Sequence, residues 1–301
     1  MSARRIYGVG ETTVDLIINT FSPREFKPGG AVLNACISLG RLGANVSLIS
    51  ATGDDKLGKL TLDFLSKNNV DTSHLIKFRG NTRLALAFLD EKKNAEYYFY
   101  QDRGHSFPTI VPSFSSGDIL LHGSSFSLKE GNTDFINNLI QACHENGVII
   151  FYDPNYRPVY NEKIKRLYPV FLNNFKNANI IKGSDQDFEG IFGVTGVDKV
   201  FEKIDIPREK VLIYTMGERG IWLRTRDLKI FTEIKKVEPV STIGAGDTFN
   251  AGILYGLLEY NIQKDTLLKQ KEETWKEILL RAAAFAAEVC LSMENYIADR
   301  R

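Results

Sequence analysis

The sequence predicts an α/β fold built on a doubly wound, mostly parallel central sheet. Three observations predict it. Short apolar, β-rich runs alternate with helically spaced segments along most of the chain, the signature of βαβ units. The runs are apolar throughout, as parallel strands buried on both faces must be. Right-handed crossovers then gather the loops that follow the strands on one sheet edge, where open α/β sheets bind small ligands.

Taken in order, strands are expected at 6–10, 46–51, 119–122, 148–152, 180–182 and 211–214, each short and bounded by glycine, polar residues or a helical segment. Between them, 31–42, 57–67, 134–145 and 164–175 carry apolar residues at helical spacing. Two segments break the rhythm. Residues 12–21 and 82–100 read as antiparallel ribbon: Leu84, Leu86 and Phe88 alternate with smaller residues, 90–94 supplies a turn, and Tyr97, Tyr98, Phe99 and Tyr100 lie on the returning strand. At least two of those four aromatics are expected to be plain hairpin packing. The turn-rich 106–116 reads as the return connection, and the charged run 264–276 as a solvated loop and helix start.

At 301 residues the chain suits one large domain with an attached lid better than two small ones. With 38 Lys and Arg against 37 Asp and Glu, nothing marks a nucleic-acid or anionic-membrane surface. Met1-Ser-Ala-Arg-Arg5 runs directly into strand-like residues without a signal-peptide apolar region, so a cytoplasmic protein is expected. Cys36, Cys143 and Cys290 are odd in number and scattered among apolar neighbours, which reads as three buried thiols rather than a disulfide framework or a metal cluster.

The chemistry-bearing stretch is 241–250, Ser-Thr-Ile-Gly-Ala-Gly-Asp-Thr-Phe-Asn. Gly244, Ala245 and Gly246 leave the backbone nearly bare before a helix, so successive N–H groups and the helix dipole can hold an anion. Asp247 beside a bound phosphate needs a task, and accepting a proton from an attacking hydroxyl is the obvious one; the bland alternative is a helix cap. Far upstream stands a second glycine-rich element, Gly29-Gly30-Ala-Val-Leu-Asn34.

In this order the two stretches resemble the signatures of the PfkB, or ribokinase-like, carbohydrate kinases. Further landmarks match: Asp15 in Gly10-Glu-Thr-Thr-Val-Asp15, Asp153-Pro-Asn-Tyr-Arg157, and Thr215-Met-Gly217-Glu-Arg-Gly220. The resemblance covers nearly the whole chain. It implies a ribokinase-like three-layer sandwich, a single domain over 1–301, and a small β lid formed by about 12–28 and 82–113 that closes over the sugar and excludes water. It implies that Asp247 acts as the base and that the Gly244, Ala245 and Gly246 backbone stabilises the transferring phosphoryl group. Asp15, Gly29, Gly30 and Asn34 would surround the acceptor, and Arg157 would hold a phosphoryl oxygen. Ser184, Thr215, Gly217 and Gly220 would line the ATP phosphates, and Asp187 would reach Mg2+ through a water. A homodimer through the lid is a further implication.

The chain departs from the family pattern at three points. Ser184 replaces the carboxamide of the family's N-x-x-E element, with Asp185 and Glu189 as alternatives to Asp187. Ser241 stands where many members carry an aspartate that helps bind an activating monovalent cation, which argues against K+ activation. The helix containing 281–287 lacks the asparagine often found near the adenine. The expected partners are ATP and a small sugar. Fructose leads on the likeness of 98–103, 121–127 and 153–157 to bacterial fructokinases, with ribose, a 2-keto-3-deoxy sugar acid or a nucleoside as alternatives. A sugar-binding regulatory protein without turnover is the reading from another class. An NAD-dependent dehydrogenase is set aside, because Gly8-Val-Gly10-Glu-Thr-Thr13 lacks the third glycine of a dinucleotide turn.

Overall fold

The computed structural model describes residues 4–19, 22–89, 95–100, 110–204 and 209–299. The chain opens with β1 (Ile6–Val9), β2 (Thr13–Asn19) and β3 (Ser22–Gly29), then α1 (Ala31–Arg41) and β4 (Val46–Gly53). Helix α2 (Lys56–Lys67), β5 (Val70–Asp71) and β6 (Leu75–Phe78) precede the pair β7 (Leu84–Leu89) and β8 (Ala95–Tyr100). A regular alternation follows: β9 (Ile119–Gly123), α3 (Thr133–Glu145), β10 (Ile149–Asp153), α4 (Ile164–Asn177), β11 (Ile180–Ser184), α5 (Asp185–Phe192), α6 (Val197–Ile204) and β12 (Val211–Thr215). The chain ends with β13 (Ile221–Arg224), β14 (Lys229–Thr232), α7 (Ala245–Glu259) and α8 (Glu272–Cys290).

The main sheet has the order β14-β13-β12-β11-β10-β9-β1-β4-β5, with β6 paired to β4. Strands β12 through β5 run parallel, and β13 and β14 add an antiparallel edge. The expected α/β class and mostly parallel sheet are therefore present. Apolar cores cover both faces. Leu33, Phe249 and Trp275 lie in the core under α1, α7 and α8, and Phe171, Phe175 and Phe188 in the core under α3 to α6. Trp275 is fully buried, so the charged run 264–276 is not simply solvated; one side of it anchors α8. Cys36 and Cys143 are buried as expected, whereas Cys290 is only half-buried. Among the described residues no helix is long and apolar enough to cross a membrane.

A second, four-stranded sheet has the order β3-β2-β7-β8. Its two ribbons are antiparallel within themselves, and β2 joins β7 in parallel, a long-range pairing the local pattern did not suggest. The alternation along β7 buries the small residues: Ala85 and Ala87 face the body while Phe88 is exposed. Small side chains let the sheet approach the main domain closely. Tyr98, Phe99 and Tyr100 are exposed; the turn 90–94, residues 101–109 and the Tyr97 side chain lie outside what is described.

Candidate active site

Gly244 caps α7 in the left-handed conformation, φ 79°. A Cβ there would collide with the Asn295 carbonyl oxygen, so a glycine is required on both counts. Of the amides that follow, Ala245 N donates to the Thr242 carbonyl at 3.4 Å and Thr248 N to the Gly244 carbonyl at 2.8 Å, which leaves Gly246 and Asp247 as the first-turn N–H groups ahead of the helical ladder. Asp247 lies in that first turn, but no side chain caps the helix, which removes the bland reading of this carboxylate as a cap. Its Oδ2 accepts instead from Asn34 Nδ2 at 2.9 Å. Thus α1 and α7, far apart in sequence, present the two signature residues to each other.

Asn34 lies within α1, whose N-cap is Gly30, and its Oδ1 is buried without a protein partner, leaving an acceptor for a ligand hydroxyl. Asp15 comes from β2 of the small sheet and is buried, with Oδ1 accepting from Thr13 Oγ1 at 2.7 Å. Gly29 closes β3 against it: a Cβ at 29 would overlap the Asp15 carboxylate. The small sheet is tied to the body by Glu11, which pairs with Arg83 at 2.8 Å, with Lys129 and with Ser125.

Beside this centre lies a buried ionic group that joins Asp153 and Asn250, both within motifs noted above, to a lysine that no motif includes. Lys182 Nζ, on β11, donates to Asp153 Oδ2 at 2.9 Å, and Asn250 Nδ2, one turn beyond Asp247, donates to the same oxygen at 2.7 Å. A Cβ built at Gly246 would stand 3.3 Å from Lys182 Nζ, so the ammonium adjoins the glycine loop at 244–246. One signal was available: Lys182 is the single charge in the apolar run Ile180-Ile-Lys-Gly183, and a lysine there needs partners.

The remaining candidates line the same sheet edge. Ser184 and Thr215 are register partners at the ends of β11 and β12, and Gly217 and Gly220 shape the exposed turn beyond. Ser184 and Asp187 form a capping box at the start of α5: Ser184 N and Oγ donate to Asp187 Oδ2 at 2.6 and 2.7 Å, and Tyr156 N donates to Oδ1 at 2.7 Å. The exposed Arg157 follows β10, close enough for its charge to pull the Asp247 pKa down.

Burial raises the Asp247 carboxyl to about 6 against the stabilising bond from Asn34, with Asp153 adding to the rise and Lys182 and Arg157 opposing it. Burial likewise lifts Asp15 to about 6, with Asp247 contributing and Thr13 and Lys27 opposing. Burial alone would lower Lys182, but Asp153 and Asp187 hold its pKa above the ordinary value, so it stays charged. A base poised near neutrality beside an anion cradle and a fixed ammonium can take a hydroxyl proton while a phosphoryl group is received.

No group of three or more His, Cys, Asp or Glu stands ready to chelate a metal among the described residues. Asp187 is buried, and both of its carboxylate oxygens accept hydrogen bonds, Oδ1 from Tyr156 N and Oδ2 from Ser184. Ser241 is buried and its Oγ accepts from Ile243 N at 3.2 Å, so this side chain is committed to a local turn and offers no charge.

A family model described as pfkB family carbohydrate kinase matches residues 4–298. Probable fructokinase-7 of Arabidopsis thaliana is 31% identical over 299 residues, 92% of this chain and 84% of that protein. Fructokinase-1 of Zea mays is 28% identical over 268 residues, 86% of this chain and 81% of that protein. The fructokinase from Vibrio cholerae O395 in fructose, ADP and calcium ion bound form shares the fold, with TM-score 0.86, 22% identity, and 98% of this chain and 95% of that one covered. So does aminoimidazole riboside kinase from Salmonella enterica complexed with aminoimidazole riboside and an ATP analog, with TM-score 0.81, 19% identity and coverages of 97% and 95%.

Proposed function

The chain belongs to the pfkB family of carbohydrate kinases, and from that premise we propose that this ATP-dependent sugar kinase phosphorylates a hydroxyl of fructose. The observation that carries the phosphoryl-transfer reading is the Asn34–Asp247 pair beside the anion loop and Lys182. Fructose is favoured by the names of the curated relatives at 28–31% identity.

In the proposed reaction the acceptor lies between Asp15 and Asn34. Asn34 fixes Asp247 through Nδ2, and its Oδ1 accepts from a sugar hydroxyl. Asp247 takes the proton of the attacking hydroxyl as its oxygen bonds to the γ-phosphorus and the bond to the ADP oxygen breaks. The Gly244 to Gly246 backbone and Lys182 hold the negative oxygens, Arg157 guards the open side, and Ser184, Thr215, Gly217 and Gly220 receive the nucleotide phosphates. Asp187 would face the water shell of a magnesium ion that enters with the nucleotide, whose charge would be partly neutralised by it. Closure of the small sheet would keep competing water out.

The test is ADP release with ATP and magnesium across fructose, ribose, 2-keto-3-deoxygluconate and adenosine, with and without potassium. Fructose is expected to give the highest kcat/KM, with less than about a twofold response to potassium. A faster rate on another acceptor would displace fructose; no turnover on any, with sugar still raising the Tm, would favour a binding protein.

The exposed Tyr98, Phe99 and Tyr100 on the edge strand of the small sheet also support a homodimer through this sheet. Sedimentation at micromolar concentration is expected to give twice the chain mass, and Tyr100→Ser to shift it towards the monomer. A monomeric parent would remove this part of the proposal.

A further inference from the structure

We infer that Lys27 is a positioning residue that couples the small sheet to the phosphate-binding loop, so that sugar occupancy helps set the geometry of that loop. Lys27 is on β3, directly opposite Asp15 in the β2–β3 register. A lysine in a lid strand is expected to reach solvent, yet this one is 6% exposed. Its Nζ donates to the Met293 carbonyl at 2.7 Å and lies 3.8 Å from Glu294 Oε1, while its charge acts on the Asp15 carboxyl. One ammonium therefore touches the acceptor side of the cleft electrostatically and the C-terminal segment covalently distant from it.

That segment is the floor of the anion loop. Two residues beyond Met293, the Asn295 carbonyl occupies the space a Cβ on Gly244 would need, so the Asn295 backbone packs directly against the loop. A small apolar cluster runs parallel to the ammonium contact: Ile17 and Ala87 of the small sheet pack with Ile243, immediately before Gly244, and with Met293. The small sheet thus reaches the neighbourhood of the loop through one polar strut, ending on Met293 and Glu294, and one apolar seam, ending on Ile243 and Met293. A displacement of the sheet on sugar binding is transmitted to Gly244 through packed atoms rather than through solvent.

The kinetic arm rests on the sugar-kinase reading; the exchange arm does not. In Lys27→Met, which keeps the buried stem and loses the donor, amide hydrogen exchange at 242–247 in the ligand-free protein is expected to speed up about tenfold while β9 to β12 stay protected. Binary Kd values for fructose and a non-hydrolysable ATP analogue should each stay within about threefold. The factor by which each ligand tightens the other should fall from about fivefold or more to less than about twofold, and kcat about tenfold. Met293→Ala, which thins the seam and leaves the carbonyl in place, should move both readouts in the same direction. Unchanged exchange at 242–247 in both variants, or undiminished coupling between the two ligands, would overturn the inference, as would a uniform rise in exchange over the whole protein. If the parent binds no fructose, the acceptor reading fails and the exchange result still decides the role of Lys27.

Discussion

Asp247→Asn is expected to lose at least about a thousandfold in kcat and yet to melt about 4 °C higher than the parent at pH 8. The activity loss combines a missing proton acceptor with a misaligned hydroxyl, each worth a few powers of ten. The stability gain has a different origin. Burial holds the folded-state pKa of Asp247 at about 6, above the ordinary 3.8, so keeping it ionised at neutral pH costs the fold about 2–3 kcal/mol after allowing for solvent at its half-open edge. A carboxyl with a raised pKa favours the folded state below the unfolded value and loses that contribution as pH rises through about 6. The amide variant escapes the loss, can still accept from Asn34 Nδ2, and its advantage should vanish near pH 4. For a chain of this size, about 2–3 kcal/mol corresponds to about 3–5 °C. Calorimetry from pH 4 to 8 beside steady-state kinetics reads both effects. A variant less stable than the parent at pH 8 would mean that ionised Asp247 is a net stabiliser. The same pKa predicts that the parent's kcat rises with pH through about 6.

Lys182→Met should have the opposite effect on stability. The ammonium is the central positive charge among Asp153, Asp187 and Asp247, and burial plus the neighbouring Asp153 already push Asp187 upward. Removing one partner of a buried ion group leaves the others uncompensated, which costs about 3–5 kcal/mol, or about 5–8 °C in Tm. Because Lys182 opposes the rise of the Asp247 pKa, its loss should move the acid limb of the kcat profile to higher pH and weaken the hold on the transferring oxygens. A Tm within about 1 °C of the parent would show that the carboxylates find other compensation. An unmoved acid limb would detach Lys182 from Asp247.

The parallel strands were legible because burial on both faces writes an uninterrupted apolar run, as in Val148-Ile-Ile-Phe-Tyr152. The Asn34–Asp247 meeting was legible only through motif likeness, since 213 positions separate the two and no local periodicity reports a contact across them. Strands β13 and β14 were not legible: four residues each, alternating and partly exposed, they take their order from pairing with β12 and with each other. The parallel β2–β7 pairing escaped for the same reason. Lys182 was hidden because a strand pattern ranks residues by burial, whereas its burial is made tolerable by Asp153 on a different strand. Ser184-Asp-Gln-Asp187 carries a local capping pattern as well as a family one, and both describe the same side chains.

The central sheet separates inheritance of chemistry from inheritance of robustness. Asn34, Asp247 and Asn250 hang from the α1–α7–α8 layer, while α3 to α6 contribute little beyond the first turn of α5 and pack as an aromatic layer of Phe171, Phe175 and Phe188. A lineage can exchange side chains within that aromatic layer and alter chiefly how long the protein lasts in a cell. Exchanges at Asn34, Asp247 or Asn250 in the opposite layer alter what it does. Divergence among descendants of this fold should therefore accumulate unevenly across one sheet, with the aromatic layer recording time and the α1–α7–α8 layer recording selection.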